Sequence, residues 1–428
     1  MRQLIPLTLY LLINLPAMSQ MDCRSVEYKK ELLRNNPGLS LKIQEIEGFT
    51  RSYRESARIA VTGETGQAHG EKGAAFIAIP VVVHIVYNSA AENISDAQVR
   101  SQIDVLNADY GKLNADTAAI PSYYSFLSAN CGFRFILANV DTNGAPTSGI
   151  IRKHTNVQHF DLGDHIKSSS QGGDDAWDRD QYLNIWVGNL TGGILGYSSV
   201  PGGPKNLDGV AILYTAFGTK GTAVAPFNLG RTATHEIGHW LNLIHVWGDT
   251  SCGDDDVDDT PQQQTASSGS PSGIRITCGN TPYGDMYMDF MDFTDDIGMH
   301  MFTYGQKERM QSLFADGGSR HALLSSKGLS STAIVTGGTP STFPLTDSAR
   351  GDLSIYPNPA AGSVLVTIKG ASRIGSLLEI VDQTGKRITS TRVNQLSFPL
   401  NVSFLPRGLY FIMVSDGRQK SMTKLVKI

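Results

Sequence analysis

The sequence predicts a mixed α/β (α+β) domain followed by a small all-β sandwich. Three observations support this: an apolar, β-branched run at residues 78–88, a histidine-rich helical pattern near 228–241, and short β-rich runs separated by turns in the last 76 residues. At 428 residues the chain is too long for one ordinary domain, and 40% hydrophobic residues allow each unit a core. The net charge of −4 and the lack of a long basic run indicate no nucleic-acid partner.

The first residues, MRQLIPLTLYLLINLPAMSQ, combine one arginine, an apolar stretch and the small residues Ala17 and Ser19. They predict a secretory signal peptide over residues 1–19, and export permits disulfides. An N-terminal membrane anchor is the alternative, but the apolar run is short for a span and lacks a basic flank. No later segment is long and apolar enough to predict a transmembrane segment.

Composition divides the rest of the chain. Residues 20–75 are polar and end in a Gly/Glu/Thr-rich run, which predicts a removable pro-segment outside the core. Residues 76–325 hold the mixed α/β pattern, with a helix that begins at Ser95 or Asp96. Residues 326–352 are rich in Ser, Thr, Gly and Pro and predict a linker, and residues 353–428 predict the sandwich.

The segment HEIGHWLNLIH, residues 235–245, predicts a metal site. His235 and His239 are four residues apart and share one helical face, and Glu236 can act as a general base without binding the metal. A straight helix would turn His245 about 120° away from His239, so the helix must end first. Asn242 stands where the metzincin pattern has glycine, and asparagine is the next best residue in the left-handed conformation. Three histidines leave a fourth zinc position open, as in a catalytic site, where zinc activates water and polarises a carbonyl.

The chain resembles the pappalysin group of metzincin metallopeptidases, in particular its secreted bacterial members. The resemblance spans about 78–318 and includes GRTATHEIGHWLNLIHVWGD (230–249), CGDDDVDDTP (252–261) and YMDFMDFTDDIGMHMFTYGQKERM (287–310). It implies a two-lobed metzincin catalytic domain, with Met291 as the Met-turn beneath the zinc. Phe293 stands where the family often has tyrosine, so no catalytic role is assigned there.

The resemblance also implies how substrate binds. GGILGYS, which contains Gly196, resembles the edge strand that pairs with the substrate backbone, although an ordinary glycine-bounded strand is the alternative. Asp296 is placed at the floor of the pocket for the residue after the scissile bond. Its carboxylate would hold a guanidinium by two charge-assisted hydrogen bonds, which predicts cleavage before Arg and, less efficiently, before Lys. The alternative is that Asp295 and Asp296 only cap a turn.

The resemblance implies two roles for cysteines, a disulfide and a metal ligand. Cys252 and Cys278 are expected to form a disulfide. Cys23 is expected to occupy the open zinc position until the pro-segment is removed, whereas a Cys23–Cys131 disulfide is the alternative.

The acidic run GDDDVDDT, between the two cysteines of that predicted disulfide, offers hard oxygen ligands that suit calcium. The expected ligands are Asp255, the Val257 carbonyl and Thr260, with Asp258 as a further candidate. A solvated acidic loop is the alternative.

The tail resembles the C-terminal sorting domain of type IX secretion cargo, on the residues LSIYPNPAAGSVLVTI and RGLYFIMVSDGRQKSMTKLVKI. This implies passage through the periplasm, export across the outer membrane by the type IX secretion machinery, and secretion or attachment at the cell surface. A carbohydrate-binding sandwich is the alternative, but the tail shows no obvious aromatic platform.

The sequence therefore predicts a secreted zinc endopeptidase that is made as a latent zymogen and acts on proteins and peptides. A surface adhesin on a decayed metzincin fold is a second interpretation, which the intact histidine and glutamate set disfavours. A zinc amidase that acts on cell-wall peptides is a third, which the peptide-pairing strand disfavours.

Overall fold

The structure is a computed structural model that describes residues 22–62, 76–330 and, apart from short stretches, 353–427. The predicted signal peptide over residues 1–19, residues 63–75 and most of the predicted linker lie outside the described residues. Within the described ranges, no helix combines the length and the apolar character needed to cross a membrane.

A seven-stranded sheet forms the centre of the α/β domain, which comprises residues 76–330. Its strands are β1 (Asp22–Cys23), β2 (Ile77–Tyr87), β3 (Phe133–Leu137), β4 (Ile150–His154), β5 (Leu183–Gly188), β6 (Ile194–Ser198) and β7 (Val210–Leu213). The strand order is β1-β6-β7-β5-β2-β3, and β4 also pairs with β2. The β6–β7 pair is antiparallel and the other pairs are parallel. Within the domain itself β6 is therefore an edge strand, and β1 is added to it from residues that precede the domain.

The helices are α1 (Ser25–Asn35), α2 (Leu39–Thr62), α3 (Asp96–Tyr110), α4 (Arg231–Trp240) and α5 (Tyr304–Ser312). Ser95 is the N-cap of α3, and its side chain accepts a hydrogen bond from the backbone N–H of Gln98. The end of α3 holds α4 in place, because Tyr110 donates to the Thr234 carbonyl at 3.0 Å and Thr234 donates to the Asp109 carboxylate at 2.7 Å. The helix that carries the predicted metal ligands is thus held in place by hydrogen bonds with the end of α3.

The leader segment, residues 22–62, packs more deeply than its polar composition predicts. Tyr28, Leu32 and Leu39 are buried in an apolar cluster with residues of β5, β6 and β7. The expectation that this segment lies outside the core is therefore wrong for these three residues. Tyr28 and Leu32 are four residues apart in α1, so this helix buries one stripe while its other faces stay polar, and Leu39 is the first residue of α2.

The C-terminal domain, residues 353–427, is an all-β sandwich, as predicted. Its strands are β8 (Leu353–Tyr356), β9 (Ser363–Ile368), β10 (Leu377–Asp382), β11 (Arg387–Arg392), β12 (Ser397–Asn401), β13 (Gly408–Ser415) and β14 (Lys420–Lys427). They form one antiparallel sheet in the order β11-β10-β13-β14 and a second in the order β12-β9-β8. Alternate residues of facing strands, such as Val366, Ile380 and Ile412, are buried in one cluster.

Candidate metal centre and substrate cleft

Helix α4 ends at Trp240, and the chain then turns so that His245 returns to the face of His235 and His239. Asn242 has a φ of +74°, the left-handed conformation that the sequence predicted for it. Arg309, which is buried, donates from Nε to the Asn242 carbonyl at 2.6 Å and holds this turn.

The three histidine rings are oriented by hydrogen bonds from Nδ1. His235 faces the Phe290 carbonyl at 2.7 Å, His239 the Leu243 carbonyl at 2.9 Å, and His245 the Asp249 carboxylate at 2.5 Å. Carbonyl and carboxylate oxygens only accept, so the proton lies on each Nδ1 and each Nε2 keeps a lone pair. Such outer partners fix the ring orientation of metal-binding histidines.

The three Nε2 atoms converge on one point, which fits a bound metal ion. The Nε2 of His239 lies 3.1 Å from that of His235 and 3.0 Å from that of His245. Because these atoms all present lone pairs, a cation between them relieves their repulsion. Nitrogen ligands of a tetrahedral zinc at about 2.0–2.1 Å are roughly 3.3 Å apart, close to this spacing. Together with the Cys23 sulfur, these ligand atoms all lie within 4.8 Å of one another.

The protonation of the histidines also suits a metal. Burial lowers the pKa of His235 to about 4, and it lowers the pKa values of His239 and His245 well below the usual value. All three rings are therefore neutral, and neutral imidazole is the form that binds a metal.

The residue predicted as the Met-turn lies directly under α4. A Cβ atom at Gly238 would collide with the Met291 sulfur, so glycine in the helix lets this methionine side chain approach closely. The Met291 carbonyl accepts a hydrogen bond from the Val246 N–H at 3.3 Å, which connects the loop to the segment that contains His245. The Phe293 ring lies 4.7 Å from the His245 ring, so this side chain packs against the metal centre.

Glu236 is buried between the histidines and β6. A Cβ atom at Gly196 would be 2.8 Å from the Glu236 Cγ, so the strand can pass this carboxylate only with glycine. The Ser25 hydroxyl donates to Glu236 Oε2 at 2.7 Å, and it accepts from the Ser198 N–H at 2.8 Å. The sequence interpretation did not assign Ser25, because nothing in its own neighbourhood relates it to residues so far along the chain.

The leader segment covers the open side of the metal centre. Cys23 pairs in register with Gly196, and its sulfur lies 3.6 Å from His239 Nε2. Cys23 and Cys131 are both buried and form no disulfide, so the alternative pairing of these two cysteines is wrong.

A pocket beside the metal centre is lined by Cys23, Leu195, Phe227, Asp296 and other residues. Asp296 is buried, and its Oδ2 accepts from the backbone N–H of Leu229 at 2.7 Å and of Arg231 at 3.3 Å. Its carboxylate therefore binds the first turn of α4 and also borders the pocket. Burial raises the pKa of Asp296 to about 6.

Comparisons with known proteins give this geometry a family. Residues 167–315 match the family described as pregnancy-associated plasma protein-A, and residues 354–428 match the secretion system C-terminal sorting domain. An extracellular metalloprotease of Pyricularia oryzae is 34% identical over 276 residues, which cover 61% of this chain and 83% of that protein. One from Verticillium alfalfae is 32% identical over 246 residues, which cover 55% of this chain and 76% of that protein.

Two solved structures from Tannerella forsythia are also similar. Mature mirolysin in complex with a cleaved peptide is 47% identical, covers 58% of this chain and 96% of its own, and superposes with a TM-score of 0.57. A promirolysin mutant is 42% identical, covers 71% of this chain and 96% of its own, and gives a TM-score of 0.61. This chain belongs to the pappalysin family of metzincin metallopeptidases.

The pappalysin is a secreted metalloendopeptidase, and its family implies zinc as the metal. Its C-terminal domain matches a sorting domain rather than a carbohydrate-binding module, so the protein is exported by type IX secretion to the cell surface or beyond it. The similar proteins are metalloproteases, which does not support the adhesin and amidase interpretations.

The loop that follows the third histidine contains the other predicted sites. Cys252 and Cys278 form a disulfide, the pairing that the resemblance implied. Asp255 is buried, and the Thr260 hydroxyl lies 2.8 and 2.9 Å from its two carboxylate oxygens and 2.8 Å from the Val257 carbonyl. The Thr260 hydroxyl therefore brings the expected calcium ligands together by hydrogen bonds.

Asp249 is a further site residue that the sequence interpretation of the pappalysin missed. Its carboxylate is the partner of His245, and the Trp247 ring stacks on the same histidine with centroids 4.3 Å apart. The motif HVWGD contains both residues, so the signal was present as an acceptor four residues after the third histidine.

Proposed function

We propose that the pappalysin cleaves peptide bonds before arginine and, less efficiently, lysine, with Glu236 as the general base. The supporting observation is the position of Glu236, which is buried beside the three histidines and packs against Gly196. His235, His239 and His245 would hold zinc, which would polarise the scissile carbonyl and lower the pKa of water. Glu236 takes a proton from the attacking water and delivers it to the leaving amine as the C–N bond breaks. The backbone of β6 pairs with the substrate chain as an added strand.

A digest of a denatured proteome tests this function. The activated enzyme is incubated with the proteome with and without a chelator, and the new N-termini are sequenced. They are expected to begin with Arg, and less often with Lys, and to disappear when the metal is removed. N-termini without this enrichment would contradict the specificity, and cleavage that persists in chelator would contradict the zinc mechanism.

We further propose that the leader segment is a pro-segment that keeps the enzyme latent by three contacts. The Cys23 sulfur takes the fourth position of the metal centre, 3.6 Å from His239 Nε2. The Ser25 hydroxyl binds Glu236, the proposed base. Strand β1 and Ser25 also use backbone groups of β6, since Arg24 N–H donates to the Gly196 carbonyl at 3.0 Å and Ser25 accepts from Ser198.

Replacing the predicted fourth ligand is expected to shorten latency. Cys23→Ala should convert to the mature form at least several-fold faster than the wild type, because water can then enter the metal centre. Ser25→Ala should act in the same direction, by roughly tenfold, since a hydrogen bond to a charged group contributes about 1.5–3 kcal/mol. The measurement is the time course of conversion of purified zymogen on gels.

Cys131→Ala is the matched control, because Cys131 is also a buried free cysteine but is not part of the metal cluster. It should convert at the wild-type rate. Unchanged conversion of Cys23→Ala would count against the cysteine switch, and unchanged conversion of Ser25→Ala would count against masking of Glu236.

The structure limits where maturation can cut. The leader segment contains Arg54 within α2, and its guanidinium binds the Asp256 carbonyl and, at 3.2 Å, the Asp258 carboxylate. Peptidases that bind substrate by strand addition need an extended chain. Cleavage before Arg54 therefore requires α2 to unfold first.

We propose that calcium binds at Asp255, the Val257 carbonyl and Thr260. Calcium at 100 times its dissociation constant would stabilise the zinc-loaded protein by about 2.7 kcal/mol, which corresponds to roughly 5–10 °C in melting temperature. Asp255→Asn should remove this increase. Asp258, the further candidate from the sequence, pairs instead with Arg54 at 3.2 Å and its side chain is 67% exposed, so Asp258→Asn is the control and should keep the increase. A melting temperature that does not respond to calcium would dismiss the site.

A further inference from the structure

The Tyr28 side chain of α1 fills a pocket of the α/β domain that we call the Tyr28 seat. This pocket is lined by Asp164, Lys167, Trp186 and Tyr197. Tyr28 is fully buried there. Its hydroxyl lies 2.7 and 2.8 Å from the two oxygens of Asp164, to which it donates, and it accepts from Lys167 Nζ at 3.0 Å. Its ring centroid is 4.7 Å from that of Tyr197.

The Tyr28 seat has the chemistry of a phenol-binding site. Lys167 is buried, and its ammonium lies 4.5 Å from the Tyr28 ring centroid, 4.8 Å from that of Tyr197 and 5.5 Å from that of Trp186. It pairs with Asp164 at 3.0 Å. A buried ammonium needs acceptors, and a phenol supplies both an acceptor for Lys167 and a donor for Asp164. A phenylalanine ring can supply neither.

The Tyr28 seat lies on the face of β6 opposite to Glu236, because side chains alternate along a strand and a Cβ atom at the neighbouring Gly196 would meet Glu236. A substrate chain that pairs with β6 alternates in the same way, so every second substrate side chain points to the face of the seat. Tyr197 belongs to β6, between Gly196, which pairs with Cys23, and Ser198, which binds Ser25. The pocket of Asp296 is lined by Leu195, toward the other end of this strand. The pocket of Asp296 is proposed to bind the substrate residue after the scissile bond. The Tyr28 seat then lies beside the substrate residues that precede the scissile bond.

We infer that removal of the leader segment turns the Tyr28 seat into a substrate subsite that binds a tyrosine side chain upstream of the scissile bond. This rests on the proposed endopeptidase function. Departure of Tyr28 leaves Lys167 without one acceptor and Asp164 without one donor, both directed at the space that the phenol occupied. A substrate tyrosine restores both hydrogen bonds and the ring contacts with Lys167 and Tyr197. The leader segment thus blocks a specificity pocket as well as the metal centre.

A peptide series tests this with the wild-type mature enzyme. All peptides carry Arg after the scissile bond, and Tyr, Phe or Ala is placed in turn at each of the four upstream positions. At one position, Tyr is expected to raise kcat/KM over Phe by about tenfold or more, since a hydrogen bond to a charged group contributes roughly 1.5–3 kcal/mol. Equal cleavage of the Tyr and Phe peptides at all four positions would overturn the subsite. No cleavage of any peptide would instead contradict the endopeptidase function itself.

Variants then test whether Lys167 is responsible for the preference for Tyr over Phe. Lys167→Met keeps the length of the side chain and removes its charge, so the Tyr-to-Phe ratio at the responsive position should fall to about one. Lys205→Met is the matched control, because Lys205 is 67% exposed and pairs with Asp180 away from the seat. It should keep the wild-type ratio. A ratio that survives Lys167→Met would assign the preference to another pocket, and the wild-type series still decides the proposal if Lys167→Met does not fold.

Discussion

Glu236→Ala is expected to reduce peptide hydrolysis by several orders of magnitude, about 10³–10⁴-fold, while the protein stays folded and retains zinc. The carboxylate is buried beside the histidines but contributes no atom to the cluster of ligand atoms formed by Cys23, His235, His239 and His245. Its removal therefore leaves the metal ligands intact and takes away the acceptor for the proton of the attacking water. General-base catalysis contributes about 10²–10⁴-fold, and here the same group also returns the proton to the leaving amine.

The measurement is kcat/KM on an Arg-containing peptide, together with zinc content and melting temperature. The variant is expected to lack the activity needed to cleave its own leader segment, so a trace of wild-type enzyme should first remove that segment. Glu236→Gln is the matched variant, because it keeps the side-chain shape beside Gly196 and loses only the base. Near-normal turnover by either variant with zinc bound would refute the mechanism.

The metal centre was predictable because its determinants are local. His235, His239 and His245 lie within eleven residues, so helical geometry and one turn decide whether their rings meet. Asn242 completes that argument, and its φ of +74° is the conformation the spacing required. When metal ligands lie this close together in sequence, the helical period and one turn determine their relative positions.

The contacts of the leader segment were not predictable, because they join residues far apart in sequence. Ser25 and Glu236 are 211 positions apart, and Tyr28 and Asp164 are 136 apart. The pattern of α1 indicates a buried stripe but does not identify the surface that buries it. Two residues of β1 are likewise too few to produce a recognisable strand pattern.

Helix α2 shows a related difficulty, because its sequence alone gives little reason for a helix of 24 residues. Contacts with α5 hold it, since Glu47 pairs with Arg309 at 2.6 Å and the hydroxyls of Thr50 and Ser312 are 3.0 Å apart. Most helical stability in proteins comes from such tertiary packing rather than from intrinsic propensity. The sequence interpretation, which described residues 20–75 only as a polar and removable pro-segment, therefore did not predict this helix.

Asp296→Ala is expected to abolish the preference for cleavage before Arg and Lys while zinc binding persists. Asp296 borders the pocket next to the metal centre, and a guanidinium can meet its carboxylate with two charge-assisted hydrogen bonds. Each contributes about 1.5–3 kcal/mol, so kcat/KM for Arg peptides should fall roughly 10²-fold or more relative to peptides with an apolar residue at that position.

The same carboxylate accepts backbone hydrogen bonds from Leu229 and Arg231 at the start of α4, so a loss of activity in Asp296→Ala could also come from a displaced helix. Asp296→Asn separates the two roles, because its amide oxygen can still accept those bonds but carries no charge for a guanidinium. It should lose the Arg preference with little change in melting temperature. Asp295→Asn is the control, since it changes the neighbouring carboxylate, which does not line the pocket, and it should cleave like the wild type. If Asp296→Asn still releases N-termini enriched in Arg, this carboxylate does not set the specificity.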